Sequence, residues 1–266
     1  MFNDRFHAAL RRTARLQGVH SLSSAAVNPR RVALLANGRR RGPITRLITP
    51  WNIGELSQPF ILLDYAEVTE RSWPLFGNHP SSGVMALTVV LNGELSVEDA
   101  TGRQGQVAAN GFAWTKAGGL VWYEGGASSR QPLRVFRMWI ADLETQESSA
   151  ATSECVAPEE VDQEGPVRVV LGQFGRARSR IPRAPAGVNC FHVRLSDRQQ
   201  FRYAAPDGHN VTWIAVDRGG LQLQAGERVY WEQVALFGDS NGVIEAQADG
   251  ETSFLLGSAR RTHIAA

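Results

Sequence analysis

Lysine is almost absent from this chain. Lys116 is the only one among 266 residues, against 27 arginines, so a single side-chain amine is available for Schiff-base chemistry. Cysteine is scarce as well. Cys155 and Cys190 stand in neither a metal-binding nor a redox spacing, and one pair makes no disulfide framework of the kind small secreted domains use. Both read as small apolar residues. No run approaches the roughly 20 apolar residues that cross a bilayer as a helix. Residues 1–20 lack the apolar centre of a secretory signal. A soluble, cytoplasmic protein with no membrane role is the expectation. A phosphate-cradling Gly-x-x-x-x-Gly-Lys run is also missing, which removes the commonest nucleotide-binding signal.

Acidic charge is lacking at one end. Residues 1–43 hold nine arginines (Arg5, Arg11, Arg12, Arg15, Arg30, Arg31, Arg39, Arg40, Arg41) against Asp4, a local charge of +8 inside a net charge of +2. The other 223 residues therefore carry −6. Such an arm can meet nucleic acid, anionic lipid or the acidic remainder of its own chain. The last needs no further partner and is the expectation. Nucleic acid is not expected, because the arm offers only Phe2 and Phe6 as aromatics and matches no recognition module. Within the arm, Asn3 can cap a helix over residues 3–18. Phe6, Leu10 and Ala14 repeat at four-residue spacing, and Gly18 can close the end. A short strand is expected at 31–35.

From Gly42 onward the pattern is that of an all-β protein. Short runs rich in Val, Ile, Leu, Phe and Trp recur between Gly, Asn and Asp turns, at 44–49, 60–65, 86–91, 94–99, 105–109, 111–116, 120–124 and 134–142. The rhythm breaks at 144–165, a Ser-rich and acidic stretch that reads as a linker. It resumes at 167–171, 188–195, 211–216, 220–224, 228–231, 234–237, 243–247 and 252–257. Asp217-Arg218-Gly219-Gly220 takes the place in this second series that the Asn92-Gly93 turn takes in the first. A duplicated barrel follows, with an arm at 1–41, barrels at 42–147 and 166–266, and a linker at 148–165.

Three stretches bear on chemistry. Phe76-Gly77-Asn78-His79-Pro80-Ser81-Ser82-Gly83 precedes a long hairpin that turns at Asn92-Gly93, and Trp122-Tyr123-Glu124 follows it. In the second half, Gly208-His209-Asn210 precedes a strand as His79 does. His209 reads there as a strand-end residue, not a ligand.

Together with Pro59-Phe60-Ile61-Leu62-Leu63-Asp64, Asn92-Gly93-Glu94, Trp114, Ala117-Gly118 and Leu236-Phe237-Gly238-Asp239, these stretches resemble, in order, the pirin family of the cupin superfamily. The resemblance implies two tandem jelly-roll cupin barrels, here with a short N-terminal helix. It also implies an iron in the first barrel held by three His and one Glu, and a quercetinase-type dioxygenase activity in some members. The family's His-Pro-His-Arg-Gly and His-x-Glu motifs fall on His79, Ser81, Trp122 and Glu124, so two ligand types are kept and two are replaced. A neutral serine is a poor ligand, and an indole offers only an N–H donor. The expectation is therefore a metal-free barrel in which His79, Ser81, Trp122 and Glu124 line a pocket for a small ligand or support a regulatory protein contact. The alternative is an iron-dependent dioxygenase in which unidentified ligands join His79 and Glu124. A third reading, a hydrolase or isomerase with His79 as base and Glu124 as acid, is compatible with the same residues.

Overall fold

The computed structural model describes residues 28–69, 82–99, 104–118, 122–127, 131–141, 152–181 and 187–261. The helix expected at 3–18 lies outside these residues. Three short strands, β1 (Val32–Asn37), β2 (Arg39–Arg41) and β3 (Ile44–Ile48), lead into a single helical turn, α1 (Gly54–Ser57). The first barrel continues through β4 (Phe60–Val68), β5 (Ser82–Asn92), β6 (Glu94–Asp99), β7 (Gln104–Ala108), β8 (Phe112–Gly118), β9 (Trp122–Ala127) and β10 (Leu133–Ala141). After β11 (Thr152–Val156) and a 3-10 turn at Pro158–Glu160 come β12 (Gln163–Glu164), β13 (Val167–Leu171) and the small hairpin β14 (Gln173–Phe174) and β15 (Ala177–Arg178). The chain ends in β16 (Val188–Leu195), β17 (Gln200–Ala204), β18 (Val211–Leu223), β19 (Arg228–Tyr230), β20 (Gln233–Phe237) and β21 (Val243–Ala259).

Two large antiparallel sheets organise these strands. A seven-stranded sheet runs β11-β8-β5-β10-β4-β3-β2, opposed by a three-stranded sheet, β7-β6-β9. A nine-stranded sheet runs β1-β20-β18-β21-β16-β13-β12, with β17 also on β21 and β19 also on β18. The expected linker is thus partly structured: β11 pairs with β8 of the first barrel and β12 with β13 of the second. The strand expected at 31–35 is β1, which pairs with β20 of the second barrel although it precedes the first in sequence. Each barrel therefore borrows an edge strand from sequence flanking the first, which leaves fewer open edges to recruit foreign strands.

The burial pattern follows from the two-residue alternation of side chains along a strand. On β5, Met85, Leu87, Val89 and Leu91 enter one apolar cluster, while Val90 enters another. On β18, Val211, Trp213 and Ala215 join the first of these clusters, and Ile214 and Val216 join a third. The first cluster contains residues of both large sheets, so these sheets pack face to face; the second and third fill the individual barrels. A strand buried on both faces needs apolar residues in continuous runs, not in alternation with polar ones. Val211-Thr212-Trp213-Ile214-Ala215-Val216 is such a run. At the shared core the rings of Phe60 and Trp213, one from each barrel, meet edge to face with centroids 5.3 Å apart.

The arm's described part is tied to the second barrel. Arg30, 4% exposed, donates to the carbonyls of Gly238 (2.8 Å), His209 (3.1 Å) and Asn210 (2.9 Å). Three carbonyl acceptors offset the desolvation that lowers the pKa of this guanidinium. The expected turn at Asp217-Arg218-Gly219-Gly220 is instead part of β18. The strand stays paired with β21 through two register shifts there, and Gly219 takes up the irregularity at φ +71°. The same residues that make a turn between two strands make a bulge where pairing on both sides holds the strand in the sheet.

Candidate ligand site in the first barrel and the polar junction between barrels

The β5–β6 hairpin is fixed by its turn. Gly93 sits at φ +77°, and a Cβ there would meet the Pro132 carbonyl, while Asn92 Nδ2 donates to that same oxygen at 2.6 Å. β6 then pairs with β9, placing Asp99 opposite Trp122 and Val97 opposite Glu124. Residues directly opposite in an antiparallel pair share a face. Val97 is 2% exposed within the apolar cluster of the first barrel. Ser82, the first residue of β5, pairs with Gly118, the last of β8, and β9 begins four residues after Gly118. The start of β5 and the start of β9 thus both adjoin the end of β8. Of the four expected site residues, His79 and Ser81 lie outside the described residues, and positions 122 and 124 lie two residues apart on β9.

The histidine at the corresponding place in the second barrel, His209, is held in a buried chain of hydrogen bonds. Its Nδ1 is 2.8 Å from Ser258 Oγ, which is 2.6 Å from Tyr203 OH; Asn189 Nδ2 donates to that phenol at 3.2 Å. Burial, with the nearby charges of Arg260 and Arg30, holds the imidazole below its ordinary pKa. This arrangement satisfies polar groups inside a barrel and matches the structural role expected for His209.

One pentapeptide, Gly238-Asp239-Ser240-Asn241-Gly242, has the Gly-x-Ser-x-Gly spacing of a nucleophile elbow. It joins β20 to β21, both strands, whereas the elbow needs a sharp strand-to-helix turn. Ser240 Oγ accepts from Gly242 N at 3.2 Å on the exposed surface, so the spacing here belongs to a bend between strands.

A polar cluster at the junction between barrels was not legible from motifs. Arg134 of β10 donates to Asp217 of β18 at 3.1 Å, and the Asp217 side chain is only 1% exposed. Burial pushes the Asp217 carboxyl up to about 6, opposed by a hydrogen bond to Ser253 and by the charges of Arg134, Arg194 and Arg218. Next to it His192, 1% exposed, has Nε2 3.0 Å from Ser253 Oγ. Burial, reinforced by Arg194, Arg168 and Arg134, pushes this imidazole down to about 3, so it is neutral at physiological pH. Arg194 of β16 donates across the junction to the Leu91 carbonyl at 2.9 Å. The available signal in the sequence was polarity inside apolar strands: His192 between Phe191 and Val193, Asp217 after Val216.

Residues 44–140 match the family model described as Pirin. A Pseudomonas aeruginosa protein named "Putative quercetin 2,3-dioxygenase" is 24% identical over 231 residues, which are 80% of this chain and 79% of the relative. A quercetin 2,3-dioxygenase structure from Acinetobacter baumannii superposes with a TM-score of 0.76 at 20% identity, covering 88% of each chain. The bacterial pirin YhhW from Escherichia coli, in complex with nickel(II), superposes with a TM-score of 0.62 at 17% identity over 86% of this chain and all of its own. These likenesses run through both barrels, and a Pirin domain spans residues 44–140.

Proposed function

We propose that this pirin-like chain holds no iron at the family's four-ligand position, and that its first barrel takes a small organic ligand or serves a regulatory protein contact. The observation that carries the reading is the residue set at that position: His79, Ser81, Trp122 and Glu124. A catalytic first-row metal centre uses about three imidazole, carboxylate or thiolate ligands and keeps a further position open. His79 and Glu124 supply two such donors. The neutral hydroxyl of Ser81 adds a weak one, and the indole of Trp122 adds none. The donor set does not fit iron, and no step of a reaction is derived through it. Register positions 122 and 124, opposite Asp99 and Val97 in the β6–β9 pair, support a pocket that recognises a ligand by shape and a few polar contacts.

The names of the Pseudomonas and Acinetobacter relatives favour a second reading, a quercetinase-type dioxygenase. It needs donors beyond His79 and Glu124 from elsewhere in the chain. Replacing Ser81→His together with Trp122→His separates the two. On the first reading the wild type takes up no ferrous iron under nitrogen while the folded double variant does, as read by plasma mass spectrometry. Stoichiometric uptake by the wild type would overturn it.

A further inference from the structure

The cleft between the barrels carries more positive charge than its own acids neutralise. It encloses about 360 Å³, the lower end of the range typical of small-molecule sites. Arg134 enters it from β10 of the first barrel, Arg194 and Arg218 from β16 and β18 of the second. Glu251 is the one acid lining the cleft among the described residues. Asp217, behind Arg134, is already engaged by it at 3.1 Å. Arg194 spends Nη2 on the Leu91 carbonyl, and burial together with Arg168, Arg134 and Arg218 lowers its pKa despite the opposing pull of Asp217. Arg218 is exposed and makes no ion pair within 4 Å among the described residues. Three guanidiniums held in one cleft against this deficit repel one another until an anion enters.

We infer that the barrel junction is a binding site for a small molecule bearing a phosphate group, held by Arg134, Arg194 and Arg218 with the Ser196 hydroxyl at its rim. A guanidinium is a planar fork matched to oxyanions. Arginines arriving from three strands suit a tetrahedral group that accepts from several directions better than a planar carboxylate, which one fork satisfies. This site is separate from positions 79, 81, 122 and 124 and does not depend on what the first barrel holds. Because its arginines come from both barrels, a bound phosphate ties the two together, and binding to the folded state alone raises the unfolding temperature.

The test is calorimetric titration of inorganic phosphate into the full chain, with chloride and malonate at matched ionic strength as controls and thermal unfolding in parallel. Phosphate is expected to bind saturably and to raise the unfolding temperature, with malonate at least tenfold weaker and chloride silent. Arg218→Gln, at an exposed position, is expected to keep the unliganded unfolding temperature and weaken phosphate binding about tenfold, the loss of one charge-assisted contact. Arg194→Gln is expected to weaken binding as well, and Arg176→Gln, away from the cleft, to change nothing. Phosphate that fails to saturate, malonate that binds equally well, or affinity unchanged in folded Arg218→Gln and Arg194→Gln would each overturn the assignment.

Discussion

The face-to-face packing of the two large sheets makes the barrels one cooperative unit, and the pair Phe60–Trp213 is where this can be measured. Both rings are fully buried, and their edge-to-face contact spans the junction. Phe60→Leu and Trp213→Leu each remove aromatic volume from the shared core, at a cost in the range of about 1–3 kcal/mol that core substitutions commonly show. The edge-to-face geometry contributes about 0.5–1.5 kcal/mol beyond burial, and each single variant already forfeits that contribution. The double variant should therefore cost less than the two singles combined, by about that amount. Urea unfolding followed by tryptophan fluorescence and by circular dichroism supplies all four corners of the cycle. One coincident transition is expected for every variant. Strictly additive costs, or two transitions of which Phe60→Leu moves only the first-barrel one, would refute the shared core.

Other consequences follow from single positions. Asp217 is raised from 3.8 to about 6 by burial, so the folded state holds its proton where the unfolded chain has lost it. Asp64 is raised to about 6 as well, by burial against the pull of Arg46 and Arg137. Their contribution to stability is present below pH 4 and is lost as pH rises to 6, on the order of 3 kcal/mol for Asp217. Asp217→Asn should flatten that part of the stability–pH curve, and a curve unchanged by the substitution would contradict the cause. Gly257 faces Trp213 across β18 and β21, and a Cβ there would run into the indole. Gly257→Ala should cost about 1–3 kcal/mol or more in urea unfolding, with partial recovery when Trp213→Leu is added; no loss would mean the strands can separate freely. Cys190 is fully buried and its thiol is pushed up by burial, whereas Cys155 is exposed. A thiol reagent should label one cysteine in the native protein and two in denaturant, and two fast native thiols would contradict the register of β16.

The strands were legible because apolar runs and turn residues recur at β spacing. Residues 94–99, 167–171 and 188–195 are strands with the bounds that pattern implies. Lost to that reading were elements whose pairing partner lies far off in sequence. β17 alternates Phe201 and Tyr203 inward with Gln200, Arg202 and Ala204 outward, but it is short and gains its definition from β21. β11, inside what reads as a linker, is a strand because β8 offers it an edge. β18 and β21 each run through glycines that look like turns, Gly219 and Gly250, because pairing with each other outweighs local preference. At the candidate site, residue types gave the donor set directly, while the register that sets 122 opposite Asp99 and 124 opposite Val97 came only from the pairing of β6 with β9. The arginine cleft was invisible in sequence: Arg134, Arg194 and Arg218 meet only once the two sheets pack.

The most direct measurement is the metal content of the wild-type protein, purified without an affinity tag, by plasma mass spectrometry before and after incubation with ferrous iron under nitrogen. With His79 and Glu124 as the only strong donors at the family's position, the account predicts less than about 0.1 iron per chain in both samples. Near-stoichiometric iron in either sample would contradict it and return the first barrel to the dioxygenase reading.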